Sequence, residues 1–447
     1  MIGRRAGVLR ERNFRRFFVG YATSLLGTSM SAVAVAFAVL DSGGTAAGLG
    51  YVFAAGIVPQ VIFMLGGGVI ADRFGRRRAM LAADAVRCCA QAALAAALFL
   101  GHPRIWVFVL LAGLVGTGDA FFGPALSGLT VEIASSGQRA NANALLSVAN
   151  SAARVAGPAL AGILVAVAGP AVVIACDAAS YGASVFALGL LRLPGAARRS
   201  GRSPLADLAE GWAEFRSRAW LVITTVQFTL FNLLTWGPFL VLGPVVSKAY
   251  LGGAGGWGAV MAALGGGSIL GGLLALGRRP RRPVAAATAS TFGYAVPGAL
   301  LALHAPVAAV AAGALVAGLG SGLGQAFDAT AIQQQVPAGA LSRVSAFETV
   351  TAFAFGPLAF AAAGPVAAVV GPGTVLGFGA AWSALSSAVA LALPVIWAVT
   401  WRERAEPASA ASAPVSPPTA DAQAHHDRGA LPARGTTPGP PGIAPPP

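Results

Sequence analysis

The sequence predicts an all-α membrane protein, on the evidence of its hydropathy, its recurring apolar runs and its arginine-rich loops. Mean hydropathy is +0.72, and only 10% of the 447 residues are charged. Apolar runs of about twenty residues recur along the chain, which is the length that crosses a bilayer as a helix. Arginine clusters fall in alternate loops, and such loops stay on the cytoplasmic side. We therefore expect a multi-pass protein of the inner or plasma membrane.

The loop between the second and third apolar runs organises this topology. Gly68 to Arg78 reads GVIADRFGRRR, and the runs Gly48 to Ile70 and Ala79 to Leu100 flank it. Arginine at bilayer depth costs several kcal/mol, so this cluster must lie at an aqueous face. The net charge of +14 is explained by such loops, which argues against a nucleic-acid partner.

The same alternation gives about twelve spans with both chain ends on the cytoplasmic side. Residues 192–218 read as a cytoplasmic linker that holds an amphipathic helix, and residues 401–447 as a disordered Pro- and Ala-rich tail. The remaining divisions are a basic cytoplasmic segment at residues 1–16 and two six-helix bundles at residues 17–191 and 219–400.

An internal repeat relates the two bundles. Gly157-Pro158 in span 5 and Gly356-Pro357 in span 11 follow glycine-rich spans and short polar loops in the same order. Both bundles also contain a basic loop after their second span. Two bundles related by an axis along the membrane normal form a transporter arrangement, in which the solute site lies between them.

These motifs together resemble the major facilitator superfamily (MFS) of transporters over nearly all of Phe14 to Thr400. GVIADRFGRRR matches the superfamily's loop signature, G-x-x-x-D-R-x-G-R-R, and RVAGPALAG resembles the Gly-Pro signature of its exporter branches. FRRFFVGYATSLLG, FFGPALSGLTVEI and ANALLSVANSAARVAGP resemble the branch of macrolide, drug and siderophore exporters. The resemblance implies an MFS fold of 12 transmembrane helices in two pseudo-symmetric six-helix bundles that rock about a shared site.

The signature loop predicts a gate on the cytoplasmic side. Asp72 can accept hydrogen bonds from a helix N-terminus, which by resemblance is the start of span 11. Arg76 can pair with Glu132 at the inner end of span 4. The alternative is that these arginines only anchor the topology, which we favour for Arg77 and Arg78. The predicted gate comprises Gly68, Asp72, Arg73, Gly75, Arg76, Glu132, Arg343 and Glu348.

Charged residues inside the spans are candidates for proton coupling, because such residues are costly and find partners or a cavity. The candidates are Asp119, Arg154 and Asp328. The alternative is a static pair between helices, such as Asp119 with Arg154. Asp84 and Arg87 are three residues apart in span 3, so we expect a local pair close to the inner surface.

Small residues and proline in span 5 predict close packing with a local bend, and the bare pattern indicates ordinary helix packing. With Arg154 one turn before it, the resemblance to exporters implies that Gly157, Pro158 and Gly162 form a seal or hinge. The solute path implied by the resemblance lies between spans 1, 4, 7 and 10. Its polar and aromatic candidates are Ser24, Thr28, Asp119, Gln227, Phe228, Phe231, Asn232, Trp236, Gln325 and Asp328.

One departure weakens the expected proton exchange. Many drug–proton exporters carry an arginine in the middle of span 4, whereas Leu110 to Gly118 contains none. Span 1 lacks the acid common in this branch, and Thr28 stands near its place.

The sequence thus predicts a secondary active transporter, with proton-driven efflux of a small amphipathic compound such as a drug, an antibiotic or a siderophore. Uptake or facilitated passage of a solute is the alternative within transport. A non-transporting receptor or a lipid-modifying enzyme is the alternative from another class. The sequence shows no nucleotide-binding loop, metal cluster or nucleophile–base pair, so we expect neither an enzyme nor a cofactor. The expected partners are a small-molecule substrate, protons and the lipid bilayer, and the expected state is a monomer.

Overall fold

A computed structural model of the chain describes residues 6–63, 75–191, 212–213, 215–337, 344, 348, 351 and 354–400. Some predictions lie outside these residues. They are the gate positions Gly68, Asp72, Arg73 and Arg343, most of the linker helix, and the tail.

The described residues form membrane-length helices in almost every predicted span. In chain order they are α1 (Arg12–Asp41), α2 (Ala46–Phe63), α3 (Arg76–Leu100), α4 (Ile105–Ile133), α5 (Arg139–Ala168), α6 (Pro170–Gly189), α7 (Ala219–Tyr250), α8 (Ala254–Ala275), α9 (Pro283–Ala302), α10 (Val307–Gln335), α11 (Gly356–Val370) and α12 (Pro372–Ala392). All except α11 are long and apolar enough to cross a membrane. A short helix, α13 (Pro394–Ala398), follows α12.

The helix of span 1 begins at Arg12, inside the segment predicted to lie on the cytoplasmic surface. A short 3₁₀ helix, Ala6–Arg10, precedes it. Val8 and Phe14 of this segment are 0% exposed, and Leu9 is partly buried against the same cluster. Phe14, Phe17 and Tyr21 recur at helical spacing, so they form one apolar stripe that packs into the first bundle. The amphipathic pattern therefore covers the bundle's inner end.

Two of the spans are irregular near their middle. α7 contains a π-helical turn, Asn232–Trp236, directly before Gly237-Pro238. α9 contains a 3₁₀ turn, Thr291–Tyr294, before Pro297. Proline removes a backbone donor, which explains the interruption of regular helical bonding. The two turns bring the rings of Trp236 and Tyr294 together edge to face, with 5.9 Å between ring centroids.

The hydrophobic core is shared by both bundles on the outer side and divided on the inner side. One cluster of buried residues joins α1 and α2 to α8 and α11, and includes Phe37, Leu49, Trp257 and Phe360. Toward the arginine loops, the described residues form one cluster within the first bundle and another within the second. Among the described residues, the two bundles are therefore in contact on the outer side and separate on the inner side. We call this the inward-open arrangement.

Glycines make the outer contact between the bundles close. Gly50 of α2 lies against the backbone of Phe360 in α11, and an added Cβ at Gly162 of α5 would lie 3.1 Å from Gly258 Cα in α8. Small residues allow this approach of helix backbones. α2 corresponds to α8 and α5 to α11 in the predicted repeat, so the two contacts are related by the same pseudo-symmetry.

Candidate transport site

A buried arginine in the first bundle connects two carboxylates at mid-membrane depth. Arg87 Nη1 donates a hydrogen bond to Asp119 Oδ1 at 2.8 Å, and Arg87 Nη2 donates to Asp84 Oδ1. Side-chain exposure is 5% for Arg87 and 0% for Asp84, but 29% for Asp119. Asp119 is therefore the least buried member of this group.

Neighbouring side chains stabilise both ends of the group. Ser184 Oγ donates to Asp84 Oδ2 at 2.6 Å, and Gln60 Nε2 lies 3.4 Å from Asp119 Oδ2. The guanidinium carbon of Arg87 lies 4.2 Å from the centre of the Phe122 ring and 4.6 Å from that of Tyr181. The favourable ring contacts and the two carboxylates compensate for the burial of the arginine.

Two sequence predictions about these charges need correction. The local pair of Asp84 and Arg87 is confirmed, but it lies near the middle of α3 and not close to the inner surface. The alternative pairing of Asp119 with Arg154 is wrong, because Asp119 pairs with Arg87. Spacing along a helix identifies partners within that helix only, whereas a partner from another helix depends on how each helix is rotated.

A second polar group lies between α1, α3 and α6. Gln91 Nε2 lies 2.7 Å from Asp177 Oδ2 and 2.6 Å from Ser31 Oγ, and Ser180 Oγ lies 3.4 Å from Asp177 Oδ1. Asp177 is 0% exposed. Uncharged donors thus satisfy this carboxyl group in the interior of the first bundle, as required for a buried polar group.

Several residues predicted to line the solute path lie elsewhere. Ser24 is 4% exposed on the face of α1 that packs against α6, and Thr28 Oγ1 is 2.8 Å from the Tyr181 hydroxyl of α6. Asn232 is 7% exposed, and its side chain donates to the Phe228 carbonyl of its own helix. Gln227 reaches toward Ser387 of α12, at 3.4 Å. These four polar side chains are therefore buried within a bundle or hydrogen-bonded to residues of their own bundle.

Apart from the two aspartates, the remaining predicted residues lie beside a polar and aromatic wall on α7, α9 and α10. Gln325 is exposed and donates to Ser321 Oγ at 2.8 Å, and Ser321 lies close to the Tyr294 side chain. The Tyr294 ring contacts Trp236 and also Phe231, whose ring centroid is 4.7 Å away. Phe231 in turn stacks on Phe228, which is 42% exposed.

The predicted contact between Arg76 and Glu132 is present at the inner ends of α3 and α4. Arg76 Nη1 is 2.9 Å from Glu132 Oε1 and donates to the Gly128 carbonyl at 3.0 Å. Gly75, directly before α3, has a φ of +91°, which favours glycine because it has no Cβ. The loop thus turns into α3 at Gly75.

Two further candidates meet in the second bundle. The carboxyl groups of Asp328 in α10 and Glu348 in span 11 lie close enough to interact electrostatically. Two carboxylates at close range repel each other, so their proximity favours a state in which one of them holds a proton. Asp328 therefore interacts with a second acid, which the sequence assigned to the gate.

The predicted span-5 residues lie at the junction of the bundles. An added Cβ at Gly162 would lie 2.8 Å from the Ala254 carbonyl oxygen, and one at Gly258 would lie 2.6 Å from the Pro158 carbonyl oxygen. Gly157 packs against Ser29 of α1. This segment of α5 therefore contacts both α1 and α8 on the closed side.

Comparison with known proteins identifies the family. Residues 6–433 match the MFS family described as transmembrane secretion effector. The chain belongs to the transmembrane secretion effector family. It is accordingly an MFS transporter and a multi-pass membrane protein, and its family is not enzymatic.

Curated relatives of this family member include named efflux proteins. The multidrug efflux pump Tap of Mycobacterium tuberculosis is 28% identical over 372 residues, which cover 79% of this chain and 87% of Tap. Macrolide efflux protein A of Streptococcus pyogenes is 24% identical over 243 residues, which cover 54% of this chain and 60% of that protein.

Solved structures of MFS transporters share the fold at low sequence identity. The nucleoside transporter NupG matches with a TM-score of 0.66 and 12% identity, over 85% of this chain and 98% of NupG. A bacterial homologue of the human lysosomal transporter Spinster, in an inward-facing and unoccupied conformation, matches with a TM-score of 0.65 and 13% identity. That match covers 88% of this chain and 99% of the homologue. The predicted MFS fold is confirmed.

The sequence prediction missed residues that connect the candidate charges. Gln60 contacts Asp119, Gln91 contacts Asp177, and the Tyr294 ring contacts Phe231 and Trp236. Each is a polar side chain within an apolar run, which is a signal that the sequence contains. The interruption of α9 around Tyr294 was not predicted either, although Pro297 follows it by three residues.

Proposed function

We propose that this transporter exports a small amphipathic compound in exchange for protons that enter the cell. The main support for this proposal is the position of Asp119. It is a partly exposed carboxylate at the middle of α4, and it forms an ion pair with a buried arginine. The similarity to Tap and to macrolide efflux protein A supports outward transport of a drug or antibiotic. A siderophore belongs to the same proposed class of cargo.

Asp119 is suited to exchange a proton because its partner does not depend on it alone. When Asp119 binds a proton, its ion pair with Arg87 weakens, while Asp84 continues to pair with the guanidinium. No unpaired arginine is then left in the interior, which would cost several kcal/mol. Proton binding therefore changes the contacts between α3 and α4 at low cost in stability.

The carboxyl pair of Asp328 and Glu348 supports a second proton-binding group in the other bundle. It joins α10 to span 11, whose described residues pack against α7 and α2. Ionisation of both carboxyl groups would place two negative charges side by side, so the pair would separate. Movement of span 11 relative to α10 follows from that repulsion, and we assign this pair to conformational change.

The loop between α2 and α3 is proposed to close the inner side, as the resemblance implies, with Asp72 facing the start of span 11. The contact of Arg76 with Glu132 and with the end of α4 supports the part of this gate that the structure describes. The Gly-Pro segment of α5 is proposed to seal the outer side, on the basis of its contacts with α1 and α8.

Transport into inverted vesicles tests this function, with a panel that contains a macrolide, a tetracycline-type drug and a siderophore. We expect at least one compound to accumulate, and accumulation to require a proton gradient that is acidic inside the vesicle. Asp119→Asn should abolish the effect of the gradient, whereas Asp119→Glu should retain part of it. Arg104→Gln, an exposed substitution at the start of α4, is the control for handling and insertion.

Gradient-driven accumulation by Asp119→Asn at the wild-type rate would refute the proton assignment. Accumulation only in vesicles of native orientation would refute efflux and favour uptake.

A further inference from the structure

Arg154 lies near the middle of α5, on the face of the helix that meets the other bundle. Pro158 and Ala161 are four and seven residues further along, so they share its face; both are buried, and the Pro158 carbonyl oxygen lies against Gly258 of α8. The opposite face points to lipid, since Ile163 and Val167 are 60% and 81% exposed. Arg154 itself is exposed. We infer that the Arg154 side chain is exposed to the space between the two bundles, on the inner side where they are separate.

The Arg154 side chain makes no hydrogen bond or ion pair with any residue that the structure describes. Arg87, in contrast, is held by two carboxylates. An arginine at this depth is costly unless it meets water or an anion. In the inward-open arrangement solvent can reach it, but closure of the inner side would desolvate the charge. An anionic group that binds with the cargo would offset this cost.

The backbone of α5 is fixed at this position. An added Cβ at Gly265 of α8 would lie 2.8 Å from the Arg154 carbonyl oxygen, so the two helices are in close contact there. A rigid backbone presents the guanidinium at a defined place, and the planar group can bind a carboxylate through two hydrogen bonds.

The wall across from Arg154 is uncharged and partly aromatic. The Tyr294 side chain lies within electrostatic reach of Arg154 and close to Ser321, which accepts a hydrogen bond from Gln325. Trp236 and Phe231 surround the Tyr294 ring. The nearest acid on this face of α10, Asp328, is engaged with Glu348. This combination of one cation, neutral hydrogen-bonding groups and aromatic rings fits an amphipathic organic anion.

We propose that Arg154 is the subsite for an anionic group of the cargo, so that the transported compound is an amphipathic carboxylate or phenolate. The inference rests on the proposed efflux function, because it names the chemical class that this function moves. Among drugs, antibiotics and siderophores it selects the members that carry an acidic group.

Binding of three dansyl compounds to the purified full chain in lipid nanodiscs tests the subsite. Dansylglycine, dansylamide and dansylcadaverine share one fluorophore and carry a negative, zero and positive charge. Wild type should bind dansylglycine about tenfold or more tightly than dansylamide, as expected for a charge-assisted hydrogen bond. Arg154→Gln should remove that preference, and Arg154→Lys should keep part of it. Arg104→Gln removes an equal charge outside the site and should leave the preference unchanged.

An anion preference that survives in Arg154→Gln would overturn the subsite, as would a wild-type protein that prefers dansylcadaverine or binds none of the three. Size-exclusion profiles and melting temperatures show whether each variant is folded, and Arg154→Lys serves if Arg154→Gln is not. Vesicle transport of dansylglycine separates the two proposals. Anion-selective binding without gradient-driven export would refute the efflux function alone, and export without charge preference would refute the subsite alone.

Discussion

Lys248 at the end of α7 forms an ion pair with Asp41 at the end of α1, with 2.7 Å between Nζ and Oδ1. Lys248 also donates a hydrogen bond to the Leu40 carbonyl at 2.8 Å. The pair joins the two bundles on the outer side, where they also share a hydrophobic cluster. It therefore contributes to the inward-open arrangement and must break when the outer side opens.

The contribution of this pair should be small. Side-chain exposure is 43% for Lys248 and 48% for Asp41, and pairs with such exposure contribute about 1 kcal/mol or less. Lys248→Gln should therefore lower the inward-open population by at most a factor of about five, and less at high salt. The measurement is the labelling rate of Gln325→Cys by a membrane-impermeant reagent added to the cytoplasmic side. A larger change that salt does not reduce would show that Lys248 has another role.

Packing of α2 against α11 should have a stronger effect on the same equilibrium. A Cβ at Gly50 would collide with the Phe360 carbonyl oxygen, which belongs to a helix backbone and cannot rotate away. Gly50→Ala should therefore disfavour closure of the outer side by about 1–3 kcal/mol, which is typical of an overpacked contact. Labelling of Gln325→Cys from the cytoplasmic side should fall accordingly.

Gly56→Ala is the matched control in α2. A Cβ added at Gly56 would have the Ala112 carbonyl oxygen as its nearest neighbour, at 3.8 Å, so it would fit without a collision. It should label at the wild-type rate. If Gly50→Ala also labels at that rate, α2 and α11 are not in contact in the functional protein.

The sequence was sufficient to predict the features that depend on local patterns. Apolar length located the helices, and the arginine loops located the inner side. The pair of Arg76 and Glu132 could be predicted because each residue lies at an end of its helix beside the same loop. We predicted that Ser24 lines the solute path, but its burial could have been predicted instead. Gly20 and Gly27 place Ser24 on a face of small residues, and that face packs against α6.

Contacts between helices inside a bundle could not be predicted in the same way. Whether Asp119 meets Arg87 or Arg154 depends on the rotation of α3, α4 and α5, and an apolar span with small residues on several sides does not define that rotation. Depth along the helix could not identify the partner of Asp119 either, because Arg87 and Arg154 both lie near the middle of their helices.

The contact of Arg76 with α4 should be needed for cycling more than for stability. Side-chain exposure is 23% for Arg76 and 30% for Glu132, so their ion pair is only partly shielded from water. Arg76→Gln should slow transport more than Glu132→Gln, because only Arg76→Gln also loses the hydrogen bond to the Gly128 carbonyl. Initial rates in vesicles with equal amounts of protein measure this order. Wild-type turnover in Arg76→Gln would reject its role in the gate.

Arg87 should be the charged residue on which the stability of the first bundle depends most. Arg87→Gln leaves Asp84, which is 0% exposed, and Asp119 without their cationic partner. Removal of one partner from a buried ion pair costs about 3–5 kcal/mol, since the remaining charge is uncompensated. The cation–π contacts with Phe122 and Tyr181 are lost as well. The melting temperature of the purified protein should fall clearly below that of wild type.

Arg154→Gln is the matched control, because it removes the same group at a similar depth without breaking a described ion pair. Its melting temperature should stay near the wild-type value. The triple variant Asp84→Asn, Arg87→Gln and Asp119→Asn contains no buried charge in this group, so it should recover most of the stability lost in Arg87→Gln. It should not recover gradient-driven transport, because Asp119 is absent. Equal melting temperatures for Arg87→Gln and Arg154→Gln would contradict the pairing of Arg87 with the two carboxylates.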